Sequence, residues 1–96
     1  MQADQIQNFI DNVNPNHGQK IVVTFLNSAS FYGFFFLFND WIELKKYNKW
    51  RFIPYNKFIQ FDHEFQVTNI PNIDYSIIID GDHVSNLETI MSYSVC

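Results

Sequence analysis

Apolar side chains near the N-terminus follow a helical period. Four of them are spaced i, i+3, i+4 and i+7, which places them on one stripe of a helix over residues 3–13. They are Ile6, Phe9, Ile10 and Val13. A proline and a glycine within residues 14–18 then favour a loop. The pattern predicts an amphipathic helix that needs an apolar surface to lie on.

Beyond this loop the apolar pattern changes to the two-residue period of strands. β-Branched and aromatic residues, which favour strands, form five short runs separated by turn-prone residues. The predicted strands are Gln19–Leu26, Phe31–Phe38, Trp41–Tyr47, Trp50–Pro54 and Phe58–Phe61. Turns at residues 39–40 and 48–49 indicate that the second, third and fourth strands form an antiparallel meander, and a short turn at residues 55–57 precedes the fifth strand.

Gly33 interrupts the second predicted strand. A glycine inside a strand usually marks a sharp bend or a close approach of another backbone. Small barrels need such a bend to curl the sheet closed. We therefore place the bend of the second strand at Gly33.

The last third of the chain is less regular. Residues 65–70 are compatible with a strand, and an Ile-Ile-Ile run predicts a strand over Tyr75–Ile79. Asp80-Gly81 is a hairpin signal. Residues 83–95 then either return as a strand or form a short helix. We favour the helix, because residues 85–88 resemble a helix cap.

Length and composition limit the class of protein. Ninety-six residues fit one domain, because chains below roughly 40 residues seldom bury enough surface to fold alone. A content of 47% apolar residues supplies a core, yet the richest apolar run is much shorter than the roughly 20 residues of a membrane-spanning helix. The N-terminal segment lacks the pattern of a secretory signal, so we expect a soluble, cytoplasmic protein. The single cysteine, Cys96, is terminal and predicts neither a disulfide framework nor a positioned nucleophile.

Charge is unevenly distributed along the chain. A net charge of −4 argues against a surface that binds nucleic acid everywhere. Five of the six basic residues nevertheless fall within residues 45–57, where no Asp or Glu occurs, and aromatic residues lie between them. Cations neutralise phosphates, and aromatic rings stack on unpaired bases for about 1–3 kcal/mol each. The stretch favours single-stranded nucleic acid, and the plainer interpretation is a solvated hairpin whose edge lysines prevent aggregation.

Two stretches of the sequence resemble the motifs of Sm-like proteins. The letters that match the first motif, without a gap, are Gly18, Val22, Phe25, Asn27-Ser28, Phe31, Gly33, Phe38-Asn39, Ile42 and Leu44. Residues 52–59 are similar to the second motif of Hfq, in which Tyr-Lys-His precedes a small residue and Ile. Over residues 18–61 the chain thus resembles the Sm-like superfamily of the Hfq and Lsm proteins.

Several positions depart from the family pattern. Asp40-Trp41 stands where Hfq has Gln-Phe, Glu43 where many Sm proteins place a base-reading Asn, and Tyr55-Asn56 where they have Arg-Gly. The basic cluster on the N-terminal helix of Hfq is absent, because this helix carries only Asp4 and Asp11. The resemblance therefore implies the fold without the uridine pocket.

The fold implied by the resemblance is mainly β. It is an Sm-like (SH3-like) five-stranded bent barrel with an N-terminal helix over residues 1–62, and a short C-terminal extension over residues 63–96 packs on the same domain. The resemblance also implies a homo-oligomer, with a ring among its forms, in which Arg51–Pro54 and Phe58–Phe61 pair between neighbouring copies as open edges. If Tyr75–Ile79 covers one edge of its own barrel, ring closure is blocked and a dimer or monomer follows.

The function predicted from these observations is a non-enzymatic Sm-like module that binds RNA weakly or unconventionally. The predicted RNA-binding residues are Trp41, Lys45, Lys46, Lys49, Trp50, Arg51, Tyr55, Asn56 and Lys57. The alternative is a protein-interaction module of the same fold, with an acidic protein partner and no RNA binding. We expect no cofactor, because no catalytic motif is present and residues 62–64 and 80–83 are interpreted as solvated turns rather than metal sites.

Overall fold

The structure, a computed structural model, describes residues 1–12 and 19–91. Its helices are α1 (Ala3–Asn12), α2 (Trp41–Lys46) and α3 (Tyr55–Thr68), and its strands are β1 (Gln19–Phe25), β2 (Ser30–Phe35), β3 (Lys49–Pro54), β4 (Ile77–Asp80) and β5 (Val84–Met91). Short 3-10 turns precede β4 and β5 at Ile73–Tyr75 and Gly81–His83. The protein is a small α+β domain with an N-terminal helix, as its period predicted; Val13 lies outside the described residues.

One antiparallel sheet contains all five strands in the order β4-β3-β2-β1-β5. The central register is fixed by the pairs Ile21↔Gly33 and Gly33↔Pro54. β4 and β5 lie at the two edges, so the described sheet is open, whereas the resemblance implies a closed barrel. Both edge strands come from residues 63–96, the segment predicted to be an extension.

Helix α1 covers one face of this sheet. Its Ile6 is 1% exposed and packs in a cluster of buried side chains from β1, β3, β4 and β5. Phe9 and Ile10 of α1 and Phe35 of β2 pack against this cluster. The buried sheet residues of this cluster are Ile21, Val23, Trp50, Phe52, Ile79, Val84 and Leu87. The apolar stripe predicted from the N-terminal spacing therefore has its partner surface.

Helix α3 covers the opposite face with aromatic side chains. Phe61 packs with Phe38 and Ile53, all at most 4% exposed, and half-buried Phe58 and Phe65 lie against them. Ring centroids in this layer approach to between 4.0 and 6.3 Å in tilted or edge-on arrangements, which aromatic quadrupoles favour. The sheet is thus the middle layer of three.

The predicted third strand, Trp41–Tyr47, is wrong, because residues 41–46 form helix α2. Its Glu, Leu and Lys residues are good helix formers. The amide of Leu44 donates to the carbonyl oxygen of Asp40, which closes the first turn. Asn48, at a φ of 57°, reverses the chain into β3.

The predicted fifth strand, Phe58–Phe61, is also wrong, because it lies inside α3, and so do most of residues 65–70. The three apolar residues that α3 turns to the sheet are Phe58, Phe61 and Phe65, spaced i, i+3 and i+7. Asn69 ends the helix in the left-handed conformation, at a φ of 59°, and its amide donates to the Phe65 carbonyl oxygen.

The helix favoured for residues 83–95 is wrong over the residues that the structure describes, because Val84–Met91 form strand β5. Residues 92–96 lie outside the described residues. The Asp80-Gly81 hairpin is also wrong, since β4 and β5 lie at opposite edges. Phe25 pairs with Val84 and Thr24 with Asn86, so Ser85 is an extra residue at a bulge. The bulge puts Val84 and Leu87 on the same buried face although they are three residues apart, a spacing that a helix also gives.

Candidate nucleic-acid interface

Trp50, one of the predicted RNA-binding residues, is a core residue. It is 2% exposed and packs in the cluster beneath α1. Its indole N–H donates to Oδ1 of Asn48 at 3.0 Å, which satisfies the only polar group of the ring. A side chain held in this way has no face available for a base.

Arg51 is held by an ion pair with Asp40. The distance from Nη2 to a carboxylate oxygen is 2.9 Å, Nε donates to the same carboxylate at 3.0 Å, and Nη1 donates to Oγ of Ser76. The two paired side chains are 18% and 33% exposed. Three of the donors of the guanidinium are thereby occupied, and the residue links β3 to the α2 turn rather than to a phosphate.

Helix α2 presents a first exposed group of predicted residues. Nζ of Lys46 lies 3.1 Å from Oε1 of Glu43 in an exposed pair, and Nζ of Lys45 lies 6.0 Å from the centroid of the half-buried Trp41 ring. Lys49, at the start of β3, is half-buried. Part of this positive charge is already matched by Glu43.

A second group lies at the start of α3, at the other end of β3. Tyr55, Asn56 and Lys57 are exposed there, about 15–20 Å from Lys49 along a six-residue strand. The basic stretch of the sequence is therefore split between two sites. Tyr55 and Asn56 of the second group line a cleft in which the ammonium of Lys20 lies over the Tyr55 ring.

This cleft has a volume of about 600 Å³. It is lined by Lys20, Ser30, Phe31, Tyr32, Pro54, Tyr55, Asn56 and Ile77. Nζ of Lys20 lies 4.2 Å from the ring centroid of Tyr55 and 5.6 Å from that of Tyr32. One ammonium and two rings thus face a single open volume, which is the arrangement that binds a planar group next to an anion.

The cleft exists because β3 ends before β2 does. The last pair between them is Gly33↔Pro54, and β2 continues beyond it to Ser30. Pro54 cannot donate a ladder hydrogen bond, and the chain turns there into α3. Phe31 and Tyr32, about 44% and 47% exposed, are left beside the gap.

Lys20, Phe31 and Tyr32 were not among the predicted site residues. Lys20 is 25 residues away from the start of the basic stretch at Lys45, and nothing local distinguishes it from a solvated lysine at a strand start. The signal that would have found it is the register, because the pairs Ile21↔Gly33 and Gly33↔Pro54 bring the start of β1 to the same region as the end of β3. Register is a long-range property that periodicity alone does not give.

Other chemistry receives little support from the residues that the structure describes. Within residues 1–12 and 19–91, no group of three His, Cys, Asp or Glu side chains is placed to hold a metal ion. Over the same residues, no helix has both the length and the apolar character needed to cross a membrane. Cys96 lies outside this part of the chain.

No protein-family model, curated protein or solved structure shows significant similarity to this chain.

Proposed function

We propose that this protein is a non-enzymatic, Sm-like module that binds single-stranded RNA in the cleft between β2 and the start of α3. The observation that carries the proposal is the position of the Lys20 ammonium between the rings of Tyr55 and Tyr32. A base stacks on a tyrosine ring, and the lysine, on its flexible four-carbon stem, turns to the neighbouring phosphate. Lys57 and Asn56 lie next to Tyr55 and extend the polar rim.

The order of elements supports the Sm-like part of the proposal. The chain has an N-terminal helix, five antiparallel strands and a short 3-10 turn before the last strand, and its fourth and fifth strands occupy opposite edges, although helices α2 and α3 interrupt this order. Arg51–Pro54, predicted to be an open edge, lies in β3 between two other strands. The resemblance implies five strands with the last two at the edges, but different residues form the third, fourth and fifth strands. Copies would assemble into a homo-oligomer through such edges.

The RNA proposal is tested by filter binding of a short single-stranded RNA to the full chain over a salt series. Tyr55→Ala removes a stacking ring worth about 1–3 kcal/mol, so we expect the affinity to fall by about 5- to 150-fold with little change in salt slope. Lys20→Gln removes one phosphate contact, so we expect the slope of log affinity against log salt to fall by about 0.7. Tyr55→Phe, which keeps the ring, should bind almost as the parent does.

Lys46→Gln is the matched control for Lys20→Gln. It removes the same charge from a residue that is already paired with Glu43, so the salt slope should stay within error. Equal effects at the two lysines would show that binding is diffuse and not located in the cleft. Absence of any binding at low salt would eliminate the RNA proposal.

The second candidate function is recognition of an acidic protein partner by the α2 surface. Lys45 and Lys46 lie there beside Trp41, and the neighbouring Ile42 and Tyr47 are 58% and 70% exposed. Aromatic and aliphatic anchors within a basic rim fit an acidic chain. In a fluorescence titration with an oligoglutamate peptide, the double change of Lys45 and Lys46 to Gln should then weaken binding at least about tenfold, while Lys20→Gln leaves it unchanged. The opposite ranking of these variants would exclude the α2 surface.

A further inference from the structure

The two edges of the sheet differ in how they are protected. Within residues 1–12 and 19–91, β4 pairs only with β3, and β5 only with β1. β5 carries Glu88, and its Ser85 hydroxyl donates to the main chain of β1. The three residues at the start of β4 are Ile77, Ile78 and Ile79, without a charge until Asp80. Natural edge strands are protected by charges, proline or short length, and β4 has only its length of four residues and Asp80 at its end, so it is the less protected edge.

Main-chain groups of β4 are directed away from the sheet at Ile78. The Phe36 amide donates to the carbonyl oxygen of Arg51, so this oxygen points toward β2. Arg51 pairs with Ile78 of β4, and its carbonyl oxygen therefore points away from Ile78. On the other side of the same ladder, the Gly81 amide donates to the carbonyl oxygen of Asn48. Alternate residues of an antiparallel strand direct their main-chain groups to opposite sides, so Ile77 and Ile79 face β3 and Ile78 faces outward.

The side chains of this edge are also exposed. Ile78 is 49% exposed on the α3 side of the sheet, and Ile77 is 37% exposed on the α1 side, where it also lines the cleft. The apolar surface is therefore continuous from the edge strand to Pro54 and Tyr55. A strand edge with free main-chain groups and apolar side chains on both faces fits another strand of the same kind.

We propose that two copies of this chain pair through β4 in an antiparallel, two-fold dimer centred on Ile78. This register sets Ile78 opposite Ile78 of the second copy and Ile77 opposite Ile79, so apolar residues meet apolar residues on both faces. It sets Asp80 opposite the polar Ser76, and the two aspartates lie at opposite ends of the ladder. A two-fold pairing needs a self-complementary strand, and β4 meets that condition.

The dimer proposal rests on the homo-oligomer included in the proposed function, and it specifies that β4 is the strand edge through which the copies pair. It differs from head-to-tail pairing of β4 with β5, which uses both edges and generates a ring or an open filament. The two arrangements are separable, since a change on β5 affects only the second. RNA binding in the cleft is a separate property that filter binding of the same variants reports.

The experiment is light scattering after size exclusion, on the full chain over a range of protein concentrations. We expect the parent to have twice the mass of one chain. Ile78→Lys places a charge at the centre of the two-fold pairing and should give a monomer, whereas Thr89→Lys, the same change at an exposed position of β5, should leave the dimer intact. A monomeric parent, or an oligomer that Thr89→Lys also dissociates, would overturn the proposal.

A second variant tests the register without relying on a loss of assembly. Ile78→Cys in a Cys96→Ser background should form a disulfide-linked dimer under mild oxidation, because paired residues of antiparallel strands lie within disulfide range. Thr89→Cys in the same background should stay unlinked. Failure of the Ile78→Cys protein to cross-link, with the parent a dimer, would place the interface elsewhere. If both variants behave as expected and no RNA binds at low salt, the dimer stands and the RNA proposal fails alone.

Discussion

Trp50→Ala is expected to lower the free energy of unfolding by about 3–5 kcal/mol, the range for removing a buried aromatic side chain. The indole is 2% exposed and lies in a cluster of side chains from α1 and the sheet, which cannot close the space it would leave. For a domain of this size each kcal/mol shifts the melting temperature by about 4–8 °C. Thermal denaturation followed by circular dichroism should therefore show a fall of about 12–40 °C.

Two further substitutions separate the parts of this effect. Trp50→Phe keeps a ring but removes the donor to Asn48, so we expect a smaller loss of about 1–3 kcal/mol. Trp41→Ala, at a half-buried position on α2, should cost less than Trp50→Ala. If Trp50→Ala melted like the parent and lost RNA affinity at an unchanged salt slope, the indole would be a stacking residue after all.

The sequence predicted correctly those helices and strands whose spacing of apolar residues fits only one type of secondary structure. The α1 stripe, from Ile6 onward, has helical spacing in a segment rich in polar residues, and the structure packs it on the sheet. β1 and β3 are short runs of β-branched and aromatic residues, and both lie inside the sheet. Consecutive residues at their centres are buried, Ile21–Val23 in β1 and Phe52–Ile53 in β3, as expected for strands covered on both faces.

The errors arose where a short apolar segment fits two periods. Residues 58–61 read as a strand in isolation, and only the addition of Phe65, seven residues after Phe58, distinguishes a helix that packs on a sheet. The resemblance to a five-stranded motif favoured the strand. At β5 the bulge at Ser85 produced a three-residue spacing of buried residues that is common in helices and rare in strands.

The candidate site was predictable only in part, for a similar reason. The basic residues of 45–57 were predicted to form one site because they are close in sequence. In the structure β3 separates them, and it places Trp50 in the core and Arg51 in an ion pair with Asp40. Tyr55 does line the cleft. Its cationic neighbour, Lys20, reaches it through the register of β1 and β2, which depends on the whole sheet.

Gly33→Val is expected to destabilise the protein by about 3 kcal/mol or more, because a Cβ at this position has no space. An added Cβ would overlap the carbonyl oxygen of Ile53 and lie 2.8 Å from the Phe52 ring. The first of these is backbone in the central strand pair, where Gly33 pairs with Pro54, so it cannot move aside without disturbing the ladder. The position thus requires a glycine because another backbone approaches closely, and the sharp bend predicted for it stays a prediction.

Urea denaturation of Gly33→Val and Gly33→Ala would measure this requirement. Alanine should already be destabilising, since its Cβ meets the same oxygen and the Phe52 ring, and valine should be worse because its two γ-methyl groups need additional space. Ser30→Val is the control on the same strand, at an exposed position where a β-branched residue is favourable, and should change stability by less than about 0.5 kcal/mol. A Gly33→Val protein with the midpoint of the parent would mean that β2 and β3 do not approach as closely as the register requires, and the cleft that depends on the end of their pairing would lose its structural basis.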